Sequence, residues 1–105
     1  MNSNIIVFIT APNEAEAEKI AKTLVEERLA ACVNITKDIR SIYRWQGKIE
    51  DDREIFMIVK TRKDLFEALS TRVKEIHSYD VPEIIALPIV EGSKEYMQWI
   101  KDSTT

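Results

Sequence analysis

From Val33 to Trp45 the odd positions Val33, Ile35, Ile39, Tyr43 and Trp45 are apolar, while the even ones are mainly Asn34, Thr36, Asp38, Arg40 and Arg44. That period of two belongs to a β-strand, whose successive side chains leave on opposite faces. Fully extended, the stretch spans on the order of 43 Å at about 3.3 Å per residue. A compact chain of 105 residues has a radius of gyration of roughly 13 Å, or a diameter of about 33 Å as a sphere. The strand must therefore overhang its own globule or bend. Gln46-Gly47 supplies a tight turn, and Ile55-Phe56-Met57-Ile58-Val59 returns as an apolar strand, which makes a long hairpin. Glu50-Asp51-Asp52-Arg53 reads either as part of that strand or as a loop.

An overhanging edge that carries Ile42, Tyr43 and Trp45 presents backbone donors and aromatic surface, which natural proteins cover with another chain. A further copy is the simplest cover. The expectation is a closed ring in which the edges of the second and fourth strands pair between subunits.

The other elements follow from shorter patterns. Asn4 to Thr10 is a buried strand, and Asn13 with Glu16 caps a first helix whose stripe is Ala17, Ile20, Ala21, Leu24 and Val25. Thr61 with Asp64 offers a second cap, followed by Leu65, Leu69, Val73 and Ile76 in a helix ending near His77. Glu83 to Leu87 forms another strand, and Pro88 marks it as a sheet edge because proline donates nothing to a ladder. A short terminal helix places Tyr96, Met97 and Ile100 over the core, with Trp99 at its flank. The order strand, helix, strand, strand, helix, strand predicts an α+β, ferredoxin-like split βαβ sandwich, an antiparallel sheet with helices on one face. The first and third strands are central. Residues 1–105 form a single domain.

Composition excludes several classes of function. A net charge of −3, spread along the chain, argues against nucleic-acid binding. With 2 Gly there is no phosphate loop of the glycine-rich kind. One His and one Cys cannot close a structural zinc site within one chain. The start, Met1-Asn2-Ser3-Asn4, lacks the pattern of a signal peptide, and the run Ile5 to Ile9 is too short to span a bilayer. The expectation is a soluble cytoplasmic protein with no membrane partner.

The chain resembles the CutA family of divalent-cation tolerance proteins along almost its full length. The matching segments are Thr10-Ala11-Pro12, Glu27 to Asn34 (ERLAACVN) and Ser41 to Glu50 (SIYRWQGKIE). Lys60-Thr61, His77 to Ile85 (HSYDVPEII), Tyr96 and Trp99-Ile100 complete the pattern. The resemblance implies a ferredoxin-like homotrimer, similar to the PII signalling proteins, with clefts between subunits and a role in tolerance of copper and other divalent metals. It also implies that Tyr43, Trp45, Lys60, His77, Tyr79 and Glu83 converge near the intersubunit cleft. Some relatives carry a further Cys and a second His where this chain has Ile9 and Ile76.

Each candidate residue admits a plain reading beside the functional one. Cys32 is either a soft copper ligand or a small core residue. His77 either binds a divalent metal with Asp80 or Glu83, or caps helix carbonyls. Tyr43 and Trp45 line a ligand cleft or pack between subunits, and Lys60 either faces that cleft or simply snorkels or pairs with a glutamate. Catalysis would need His77 with Glu83 or Asp80 as acid and base and Lys60 as an anion holder, yet no nucleophile or reaction motif accompanies them. The expectation is a non-enzymatic protein that binds a divalent metal, copper foremost, weakly at intersubunit clefts, with no organic cofactor. The alternative is a PII-like signalling or scaffold module that binds a small molecule or protein partner.

Overall fold

In the computed structural model, which describes residues 3–105, the elements run β1 (Asn4–Ala11), α1 (Glu14–Glu26), β2 (Cys32–Trp45), β3 (Lys48–Arg62), α2 (Phe66–Ile76), β4 (Ile84–Pro88) and α3 (Lys94–Ser103). The strands form one four-stranded sheet in the order β2-β3-β1-β4, antiparallel throughout. This is the split βαβ arrangement, with β1 and β3 central and Pro88 on an edge strand.

The two faces of the sheet have different company. Ile5, Val7, Ile9 and Ala11 of β1 pair in register with Thr61, Val59, Met57 and Ile55 of β3. These side chains are buried together with Ala17, Ile20 and Leu24 of α1 and Leu69 and Val73 of α2. The alternate face carries Ile6, Phe8, Phe56, Ile58, Ile85 and Leu87. There the rings of Phe8 and Phe56 meet at 5.2 Å, while Ile85 and Leu87 are more than half exposed.

Local chemistry explains the element ends. Asn13 Oδ1 accepts the Glu16 amide at 2.8 Å and so occupies one of the helix's unpaired N–H groups. Thr61 does not cap α2 as expected. It is fully buried in β3, and its hydroxyl donates to the Leu29 carbonyl at 2.7 Å. A single turn of 3-10 helix, Lys63–Leu65, leads into α2 without a side-chain cap. Val25, expected in the packed stripe, is 44% exposed, and Tyr96 is also exposed, its ring lying 5.4 Å from that of Trp99. Only Ile100 of α3 is fully buried. The α3 helix reaches Asn4 and, through the adjoining Thr104, Arg62 by side-chain hydrogen bonds; the register places both on the sheet face opposite α1 and α2.

The hairpin decides the shape. β3 runs unbroken through Glu50–Arg53, which settles that segment as strand. Beyond Ile55 it has no β1 neighbour, so Ile39–Trp45 and Lys48–Glu54 form a two-stranded ribbon projecting from the sheet. The molecule is accordingly elongated, 44 × 25 × 24 Å. At the tip, Gln46 and Gly47 take φ values of 50° and 79° between the paired Trp45 and Lys48, the twisted two-residue turn that suits a hairpin.

One irregularity breaks the expected alternation. The register shifts between Ile35, opposite Met57, and Asp38, opposite Ile55, so that Thr36 and Lys37 together oppose Phe56. Such a bulge exchanges the faces of everything that follows. Val33 and Ile35 therefore point to the helix side, whereas Ile39, Tyr43 and Trp45 point to the other.

Candidate functional site

The bulge places Tyr43 and Trp45 above the end of the open sheet face, where the α2–β4 loop brings up Tyr79, Asp80, Val81 and Glu83. Together with Thr10 and Glu54 these residues line a cleft of ≈ 700 Å³ at the base of the ribbon. Two tyrosine hydroxyls reach carboxylates of β3: Tyr43 donates to Asp52 at 2.6 Å and Tyr79 to Glu54 at 2.9 Å. The hydrogen bond to Asp52 pushes the Tyr43 hydroxyl up to about 12, because losing its proton would set two anions side by side. Tyr79 is raised further, by burial first and then by Glu54.

Glu54 is the unusual member. It is 7% exposed, yet no Lys or Arg forms an ion pair with it among the described residues. Glu83 feels that charge. Burial first, and the Glu54 carboxylate second, raise its proton affinity above the ordinary glutamate value. The cleft thus holds negative charge with no basic side chain among its lining residues.

His77 lies behind this cleft rather than in it. Its side chain is fully buried. Nδ1 accepts the Tyr79 amide at 3.0 Å, which leaves Nε2 to donate to the Thr10 carbonyl at 2.7 Å. Both ring nitrogens thus have backbone partners, and Glu16 Oε2 lies 3.3 Å from Nδ1 as well. Within one chain the structural reading of His77 is the one with partners in place: the residue ties the α2–β4 loop to the end of β1. Glu16 secures the same junction, its Oε2 accepting both the amide and the hydroxyl of Ser78, at 2.9 and 3.0 Å.

Cys32 and Lys60 are cross-strand partners at the opposite end of the open face. The Lys60 ammonium donates to Asn34 Oδ1, and the partly buried Cys32 thiol lies 3.9 Å from the same oxygen. Neither lines the cleft of its own chain. Of the residues expected to converge, Tyr43, Trp45, Tyr79 and Glu83 do so. Among the described residues no three His, Cys, Asp or Glu side chains are grouped to hold a metal ion, so one chain does not by itself fit a closed metal centre.

Sequence reasoning missed Glu54 and Asp52. Their signal was present in the alternation Glu50, Asp52, Glu54, which puts three acids on one face of a strand. It was obscured because the same stretch also reads as a charged loop.

Comparison with known proteins bears on the whole chain. The family model described as CutA1 divalent ion tolerance protein matches residues 5–103. A Thermus thermophilus protein named divalent-cation tolerance protein CutA is 54% identical over 99 residues, covering 94% of this chain and 96% of the relative. The human protein named CutA is 50% identical over 97 residues, and there the match covers 92% of this chain but 54% of the longer relative. Among solved structures, the divalent cation tolerance protein from Thermus thermophilus superposes with a TM-score of 0.95 at 53% identity, over 97% of this chain and 99% of that one. No helix among the described residues is long and apolar enough to cross a membrane.

Proposed function

Because this chain belongs to the CutA1 divalent ion tolerance family, we propose that it serves divalent-cation tolerance as a homotrimer, binding copper or a related ion weakly at the cleft beneath the ribbon. The relatives are named as tolerance proteins rather than as enzymes. The reading here is likewise binding without catalysis, in the reducing cytoplasm that the single Cys32 favours.

The observation that carries this reading is the pairing of Glu54 with Glu83. Burial first and the Glu54 carboxylate second raise the proton affinity of Glu83, and a cation held beside the two carboxylates relieves that repulsion. One chain supplies too few donors for tight chelation, so the ion is shared with a neighbouring copy and held loosely. Copper is favoured because Cu²⁺ outbinds the other divalent first-row ions at a given set of oxygen and nitrogen donors. Cys32 is a separate soft donor at the far end of the open face.

Trimerisation is supported by the surfaces left uncovered. The ribbon exposes Ile42, Ile49, Tyr43 and Trp45 at 64, 61, 40 and 40%, and a two-stranded ribbon is marginal in water on its own. Calorimetric titration of Cu²⁺ into the assembled protein tests the reading. Glu83→Gln should weaken binding by about tenfold, the scale of one charge-assisted contact. Unchanged affinity and stoichiometry in Glu83→Gln and in Cys32→Ser would remove both residues from the site.

A second reading has its own observation. A volume of ≈ 700 Å³ with aromatic walls is the size of a small-molecule pocket rather than of an ion site, which suits a PII-like module that senses an organic ligand.

A further inference from the structure

We propose that His77 is a proton-operated latch behind the cleft: when its Nδ1 takes up a proton, that nitrogen exchanges the Tyr79 amide for the Glu16 carboxylate and frees the stretch of the α2–β4 loop that lines the cleft. The latch lies outside the cleft lining and works whatever the cleft binds.

Three observations carry it. First, the tautomer is fixed. Nε2 lies 2.7 Å from the Thr10 carbonyl, which can only accept, so Nε2 keeps its hydrogen in either charge state and Nδ1 is where a proton is gained. Second, Nδ1 faces two groups of opposite demand. The Tyr79 amide donates to it at 3.0 Å and needs its lone pair, while Glu16 Oε2 stands 3.3 Å away and only accepts. In the neutral ring two acceptors confront each other; in the imidazolium the carboxylate is matched and the amide is left facing an N–H. Third, the carboxylate is already held in place. Its Oε2 accepts the amide and the hydroxyl of Ser78, at 2.9 and 3.0 Å, so it meets the new proton without the search that a free surface side chain would need.

The surroundings leave Glu16, from α1, as the charged group at the ring. β1 contributes the uncharged Thr10 carbonyl, and the loop contributes the Tyr79 ring at 4.7 Å. The last charged residues of α2, Lys74 and Glu75, are exposed, as is Asp80 farther along the loop. Release of the Tyr79 amide matters because the same residue reaches Glu54 through its hydroxyl at 2.9 Å, and Asp80, Val81 and Glu83 follow it along the cleft wall.

Nuclear magnetic resonance of the ¹⁵N-labelled full chain, titrated across the interval of about pH 8 to 5 in which imidazoles change charge, tests the proposal. His77 is the single histidine, so its ring signals are unambiguous. The expected result is an Nε2–H tautomer at the upper end. As Nδ1 gains its proton, exchange protection of the Tyr79 amide should fall by about tenfold, the scale of one hydrogen bond, while that of Val7 in β1 holds. Glu16→Gln keeps an acceptor for Ser78 but removes the charge, and should move both events together to lower pH. Tyr79→Phe cuts the link to Glu54 and should keep the amide response, which separates the latch from titration of the Glu54 carboxylate. Should Glu16→Gln fail to fold, the wild-type titration and Tyr79→Phe decide. A ring that gains its proton with the Tyr79 amide unchanged, a ring that stays neutral until the sheet unfolds, or an amide response lost in Tyr79→Phe overturns the proposal.

Discussion

At the scale of single residues, His77 separates a structural account from a metal-binding one. Its fully buried imidazole joins Thr10 at the end of β1 to Tyr79 in the α2–β4 loop, by hydrogen bonds of 2.7 and 3.0 Å. Removing it takes a partner from the part-buried Thr10 carbonyl and Tyr79 amide, each worth about 1–3 kcal/mol when left unpaired. His77→Ala should therefore lower stability by about 2–4 kcal/mol in urea unfolding, on that same scale. A loss well below 1 kcal/mol on that scale would show that the ring is not a structural tie. The sequence made Asn13 legible because an N-cap is a local bond, to an amide three residues away. It misassigned Thr61, and it left His77 open between a metal and a backbone carbonyl, because their partners, Leu29 and Thr10, are distant in the chain. A threonine that caps and a threonine that ends a buried strand are written alike.

At the scale of elements, the ribbon is the feature most readily foreseen and the bulge the least. Alternation from Val33 to Trp45 announced a strand, and Gln46-Gly47 announced its turn, because period and turn chemistry are local signals. The extra residue at Thr36-Lys37 left no such mark, since polar residues there fit an unbroken strand equally well. Yet it is the bulge that turns Tyr43 and Trp45 towards the cleft. The turn itself gives a clean test. Gly47 has φ +79°, and a side chain added there would meet nothing within 4 Å, so Gly47→Ala costs only backbone strain, about 1–2 kcal/mol. Because Ile39–Glu54 has no third strand beside it, that loss should appear as faster amide exchange confined to the ribbon, with β1 unaffected. Equal acceleration in β1 would show instead that ribbon and sheet open as one unit.

At the scale of the whole molecule, two apolar surfaces are left without a cover among the described residues: the ribbon, and the open sheet face where Ile85 and Leu87 are exposed beside the half-buried Phe8 and Phe56. The split βαβ topology was legible from element order, since that order and the apolar run of each strand decide which strands are central. How copies associate was not legible in that way. The overhang argues for a partner, but the number three comes from the family resemblance. The cleft lies where the ribbon leaves the sheet, so the trimer we propose would bring residues of neighbouring copies to it. Sedimentation equilibrium at micromolar concentration measures that claim directly. The account predicts a single species of three times the 12.2 kDa chain mass; a stable species at 12.2 kDa, with ribbon and open face exposed to water, would contradict it.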